Sequence, residues 1–128
     1  MNAIAHGIDL IECARLQGVI DRHGDKFLNR VFTGAELAYC DDRKRRIEHL
    51  AARFAAKEAV MKLLGTGWTN GIRWTDIEVS NDPAGRPGIR LTGRCGVLAS
   101  RLGINTVMIS LTHTSEHAIA SAIGCGES

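Results

Sequence analysis

The segment Arg45 to Gly65, RRIEHLAARFAAKEAVMKLLG, constrains the fold of this chain more than any other. Ile47, Leu50, Ala51, Phe54 and Met61 recur at helical spacing and form one apolar stripe. Ala52, Ala56 and Val60 occupy the opposite face, so from Leu50 to Leu64 the helix is apolar nearly all round. Such a helix is covered on both sides. A chain of 128 residues has few layers to cover it with, and contact with another subunit is one source of the second layer. Glu58 lies four residues after Phe54 and three before Met61, on the same stripe. A charge buried there is costly unless a metal ion or a base pairs with it.

The rest of the chain alternates between helix and strand patterns. Ile4 to Ile11 reads as a strand, interrupted by Asp9, a poor strand former. Glu12 to Arg22 suits a short helix and Phe27 to Phe32 a further helical turn. Thr33 with Glu36 makes a capping box for a helix through Tyr39. Asp41 and Asp42 suit the N-terminal end of the long helix, and Gly65 and Gly67 terminate it. Trp74, Ile77 and Val79 then alternate with Asp76 and Glu78, a strand pattern. Asn81 to Gly85 is a turn cluster, and Ile89 to Leu91 starts a returning strand. Gly93 to Leu102 suits a helix. Asn105 to Thr112 and His117 to Ile123 read as strands joined by a hairpin at His113 to Glu116. Strands at both ends with helices between predict an α+β fold. Its small, largely antiparallel sheet packs with one long helix and shorter helices, as a single domain over residues 1–128.

The formal net charge is only +2, which argues against bulk nucleic-acid binding and directs attention to local clusters. Arg15, Arg22, Lys26 and Arg30 recur every four to seven residues and can line one face. An acidic protein or a nucleic acid would fit such a face, and a merely solvated face is the ordinary alternative. Aromatic residues are not interleaved with these bases, as single-strand binders require. Cys13, Cys40, Cys95 and Cys125 are far apart with no C-x-x-C pair, so free thiols are expected rather than a zinc site. No leader-like N-terminus and no membrane-length apolar window is visible, so a cytoplasmic protein is expected.

Three sets of residues carry chemistry. Asp9 and Glu58, both in core-like settings, suit a shared Mg²⁺ ion, which favours oxygen ligands. The alternative is an Asp9 cap on the helix from Glu12 and a Glu58–Lys62 pair at i,i+4. Lys57 and Lys62 with Gly65, Thr66 and Gly67 suit phosphate, although the P-loop spacing is absent and a plain helix C-cap explains the glycines equally. Ser110 and His113 close a strand without the acidic residue or nucleophile elbow of a hydrolase. Side-chain hydrogen bonding in a hairpin turn also accounts for them.

In order along the chain stand GIDLIE (Gly7 to Glu12), RVFT (Arg30 to Thr33), RFAAKEAVMKLLGTG (Arg53 to Gly67), WTDIEV (Trp74 to Val79) and SLTHT (Ser110 to Thr114). With these blocks the chain resembles the holo-[acyl-carrier-protein] synthases, a family of 4′-phosphopantetheinyl transferases, over nearly its whole length. The resemblance implies that fold and transfer of phosphopantetheine from coenzyme A to a serine of apo acyl carrier protein. The other product is adenosine 3′,5′-bisphosphate, and the activity supports fatty acid biosynthesis. It implies Mg²⁺ at Asp9 and Glu58, with Lys62 completing the catalytic set. It places coenzyme A contacts at Arg53, Lys62, Gly65, Thr66, Ser110 and His113. It gives Arg15, Arg22, Lys26 and Arg30 to the carrier protein, and it implies a homotrimer with active sites between subunits. Glu58 or a metal-bound water would take the serine proton, and the residues leave both open. Trp68 departs from the small aliphatic residue that more often follows G-T-G.

Overall fold

The computed structural model describes residues 1–65, 67–68 and 71–127. Strand β1 (Asn2–Glu12) leads into α1 (Cys13–Val31), α2 (Gly34–Asp41) and the long α3 (Arg46–Leu64). A 3-10 turn at Trp74–Asp76 precedes β2 (Ile77–Asn81), β3 (Pro87–Leu91), α4 (Gly93–Arg101), β4 (Thr106–His113) and β5 (His117–Gly126). The strands form a three-stranded antiparallel sheet in the order β1-β5-β4 and a separate β2-β3 hairpin. The fold is α+β with small antiparallel sheets, as expected. All four cysteines are free and buried. Among the described residues no helix is long and apolar enough to cross a membrane.

Helix α1 joins the two helical segments read from the sequence. They meet at Gly24, whose φ of 56° kinks the helix where a Cβ would be strained. α3 lies across the inner face of the three-stranded sheet. Gly7 of β1 permits the contact: a Cβ there would meet the Ala59 carbonyl oxygen at 1.9 Å. Ala118, Ala120 and Ala122 of β5 supply the same small surface, all fully buried. Leu50, Ala51 and Ala52 cluster with Leu16, Ile20 and Phe32, and Ala52, Ala56 and Val60 on the back face of the helix are buried as well. The chain therefore covers both faces of α3 by itself, and the expectation that a second subunit covers its back face is corrected. Apolar surface is left open on the outer face of the sheet. Ile8 and Leu10 of β1, Met108 of β4 and Ile119 of β5 are exposed there.

The charge in the core is also not the expected one. Glu58 is half-buried, whereas Glu36 of α2 and Lys57 of α3 are buried completely and pair at 2.9 Å. Glu36 completes the Thr33 capping box and accepts from the Val79 backbone N–H at 2.9 Å. Lys57 also donates to the carbonyls of Trp74 and Ile77. The pair thus ties α2, α3 and β2 together with nearly every polar atom satisfied. Burial lowers the Lys57 pKa, and the Glu36 charge opposes that shift.

Removing one member of such a pair strands the other charge. Lys57→Met is expected to cost about 3 kcal/mol or more in denaturant unfolding, and Glu36→Gln with Lys57→Met to recover part of it. A fully additive double variant would show that the two groups do not act as a pair.

Candidate active site

Two groups of polar side chains lie on different faces of α3. The first centres on Asp9, which the pleat of β1 directs to the inner face between Ile8 and Leu10. Lys62, near the C-terminal end of α3, donates to Asp9 Oδ1 at 2.9 Å and to the Ile8 carbonyl at 3.0 Å. Asp9 is not a helix cap, because α1 starts at Cys13 without a side-chain cap, and Lys62 chooses Asp9 over Glu58. Asp9 Oδ2 is buried with no hydrogen-bond partner. Glu58 stands beside it on the wall of a cavity of about 420 Å³ lined also by Glu12, Arg15, Leu16, Val19, Phe27 and Phe54. Burial raises the Glu58 pKa. An interaction with the Trp68 indole N–H, short of full hydrogen-bond geometry, opposes the rise, the Asp9 charge adds to it and Lys62 opposes it. Two carboxylates share one ammonium here, and an orphaned acceptor faces inward. That donor set fits Mg²⁺, which is held by one or two carboxylates plus substrate oxygens and water. Among the described residues no cluster of three or more ligand-type side chains competes for it.

Aromatic rings brace this wall. Phe27 lies 6.3 Å from Phe54, Phe54 stacks on Trp74 at 5.0 Å, and Trp74 stacks on Trp68 at 3.7 Å. Trp68 therefore packs into the site wall by extending a stack that starts on α1.

The second group centres on Arg53. It lies five residues before Glu58, which is about 140° around the helix. Arg53 is 2 % exposed and has no carboxylate partner among the described residues. Its Nη2 donates to Asn81 Oδ1 at 2.6 Å, its Nε is unpartnered, and its guanidinium lies 4.1 Å from the Tyr39 ring centre. His113 Nδ1 pairs with Glu48 Oε1 at 2.8 Å. His49 sits edge-on between Tyr39 and His113, its pKa lowered chiefly by burial and then by the charges of His113, Arg53 and Arg43. Tyr39, His49, Arg53, Asn81 and His113 share a cavity of about 200 Å³. A buried guanidinium without a carboxylate partner among the described residues is an environment that suits an anion.

The expected residues therefore divide. Asp9, Glu58 and Lys62 converge, and Gly65 follows at the left-handed C-cap of α3. Arg53 and His113 converge elsewhere. Thr66 lies outside the described residues. Ser110 does not join His113: side chains three apart on a strand face opposite ways, and Ser110 is exposed on the outer sheet face. Arg15 lines the Asp9 cavity, and Arg22, Lys26 and Arg30 are exposed along α1. The sequence reading missed Glu48, Asn81 and Tyr39. Glu48 carried the same signal as Glu58, a carboxylate set among the apolar residues of α3.

Residues 5–122 match the 4′-phosphopantetheinyl transferase superfamily. The chain belongs to this family. It is 44% identical over 120 residues to a holo-[acyl-carrier-protein] synthase of Solibacter usitatus (strain Ellin6076), covering 94% of this chain and 96% of that relative. A holo-[acyl-carrier-protein] synthase of Trichlorobacter lovleyi (strain ATCC BAA-1151 / DSM 17278 / SZ) is 47% identical over 117 residues, with 91% and 93% covered. The fold superposes on the holo-[acyl-carrier-protein] synthase of Neisseria meningitidis with a TM-score of 0.88, at 25% identity and with 97% and 99% of the chains covered. It superposes on that of Helicobacter pylori in complex with coenzyme A with a TM-score of 0.80, at 30% identity and with 94% and 99% covered. Membership makes the chain an enzyme of phosphopantetheinyl transfer.

A raised Glu58 pKa means that the folded state binds this proton more tightly than the unfolded state. Ionising Glu58 then costs stability once pH rises above the unfolded carboxyl value, about 4.3. In metal-free protein Glu58→Gln is expected to raise Tm by a few degrees near neutral pH, with the two proteins converging below about pH 4. An equal Tm at neutral pH would mean that Glu58 is not desolvated.

Proposed function

We propose that this chain, acting over residues 1–128 as one catalytic domain, transfers 4′-phosphopantetheine from coenzyme A to a serine of an apo acyl carrier protein. The observation that carries this reading is the cavity shared by Asp9, Glu58 and Arg15, which joins a carboxylate site for a cation to the basic face of α1. In the reaction the serine oxygen forms a bond to the β-phosphorus of the coenzyme A diphosphate. The bond from that phosphorus to the bridging oxygen breaks, and adenosine 3′,5′-bisphosphate departs with the electron pair.

Asp9 and Glu58 would hold Mg²⁺, whose charge would polarise the phosphorus under attack and offset the charge developing on the departing 5′-phosphate of adenosine 3′,5′-bisphosphate. Lys62 bonds Asp9 and the Ile8 carbonyl and retains one ammonium hydrogen for a phosphate oxygen. Glu58 or a water on the bound cation would take the serine proton, and burial raises the Glu58 pKa in the metal-free protein. Gly65 ends α3 beside Lys62, within reach of the same diphosphate. Arg15, Arg22, Lys26 and Arg30 would steer the acidic carrier protein onto α1.

The anion site at Arg53 and His113 takes the remaining charge of coenzyme A, the 3′-phosphate. It belongs to a neighbouring copy. Asp9 lies on β1 and His113 on β4, the two edges of the sheet, with β5 between them and about 10 Å separating the strands. Copies packed through the exposed apolar sheet face bring the β1 edge of one beside the β4 edge of the next. A head-to-tail contact whose rotation closes gives a ring, and a ring of three is what the family resemblance implies. The role proposed for the enzyme is the priming of carrier protein for fatty acid biosynthesis in the cytoplasm.

Mass spectrometry of an apo carrier protein incubated with coenzyme A and Mg²⁺ should show addition of phosphopantetheine. Asp9→Ala should abolish it while the fold survives, and near-normal turnover at saturating Mg²⁺ would refute the metal assignment. Arg15→Glu should raise KM for the carrier several-fold, on the order of 1 kcal/mol, and leave KM for coenzyme A nearly unchanged. An equal rise in both, or none, would leave the basic face without a docking role.

A further inference from the structure

We infer that Glu48 is a positioning residue: it holds the His113 ring so that Nε2 is presented to a phosphate monoester bound beside Arg53. The inference rests on the transfer reading above and concerns its distal anion site.

Glu48 lies in the first turn of α3, five residues before Arg53, and is 5 % exposed. A carboxylate this buried needs a partner that repays its desolvation. Its nearest cation, Arg45 Nε, is 3.8 Å away and too distant for a hydrogen bond. The partner at hydrogen-bond distance is His113 Nδ1, at 2.8 Å on the last residue of β4. The bond fixes which ring nitrogen is used. Nδ1–H donates to Glu48, and Nε2 is left for the cavity that His113 lines with Arg53, Asn81, Tyr39 and His49. A carboxylate that orients a ligating histidine through its far nitrogen is a recurring device.

The cavity calls for an anion independently of His113. Among the described residues the buried Arg53 guanidinium has no carboxylate partner and its Nε no acceptor. Glu48 spends its own charge on His113 and so does not quench Arg53. His49 fills the space between Tyr39 and His113. A tetrahedral anion seated there accepts from Arg53 Nε–H and, with the ring carrying hydrogen on both nitrogens, from His113 Nε2–H. In coenzyme A the group that matches is the 3′-phosphate, because the diphosphate is engaged at the Asp9 site.

Calorimetric binding of coenzyme A and of 3′-dephospho-coenzyme A to the assembled protein, with and without Glu48, separates this role from a structural one. The unmodified protein should prefer coenzyme A. Glu48→Ala should lose about tenfold of that preference, the scale of one charge-assisted hydrogen bond, while its affinity for the dephosphorylated ligand stays put. Glu48→Gln, which keeps an acceptor for Nδ1–H, should restore most of it. Nitrogen-15 NMR of the His113 ring should show a protonated Nδ1 in the unmodified and Gln proteins and its loss in the Ala variant. Undiminished preference in Glu48→Ala overturns the inference, as does an equal fall for both ligands. Equal binding of the two ligands by the unmodified protein also overturns it and leaves the transfer reading standing. Failure to bind either ligand overturns the transfer reading itself.

Discussion

Everything at the proposed reaction centre depends on how closely α3 approaches β1. Gly7 sets that distance, since any side chain there would drive into the Ala59 carbonyl. At this separation Lys62, one turn further along α3, reaches both Asp9 and the Ile8 carbonyl. Glu58 is carried to the same wall. A wider gap would leave Asp9 facing water and Lys62 without its two acceptors. The small residues of the inner sheet face are therefore part of the site as much as of the core.

The same helix separates the site into halves of opposite sign. On one face Lys62 pairs with Asp9 at 2.9 Å, which leaves Glu58 beside it without an ion pair among the described residues. On another a buried arginine lacks any carboxylate partner among the described residues, an environment short of negative charge. Each deficit is costly in isolation and is relieved by a ligand. The proposed ligand, a metal-bound diphosphate with a second phosphate some distance away, would relieve both. The halves lie toward opposite sheet edges, and the uncovered apolar sheet face offers the surface through which copies would join them.

Much of this was legible in the chain. The long helix was expected from Arg45 to Gly65 and spans Arg46–Leu64, because its periodicity and its terminating glycine are both local signals. The Thr33–Glu36 capping box and the hairpin at His113 to Glu116 were legible for the same reason. The pairing of β1 with β5 was not, since it joins residues more than a hundred positions apart and is decided by tertiary packing. Nor was the Glu36–Lys57 pair, whose members look like an exposed cap and a charged helix residue until α2 folds onto α3. Other errors were avoidable. The two-residue period of a strand alone separates Ser110 from His113, and the reasoning that singled out Glu58 applies equally to Glu48.

The central claim is that one reaction centre takes its carboxylates from one copy and its arginine from the next. Mixing two inactive proteins tests it directly. Asp9→Ala chains keep an intact Arg53 half, and Arg53→Ala chains keep an intact Asp9 half. Unfolded together and refolded at equal concentration, they should regain transfer activity at about one quarter of the sites, the fraction at which the two intact halves meet in a randomly assembled ring. A mixture as inactive as its separate components would show that both halves act within a single chain and would contradict the account.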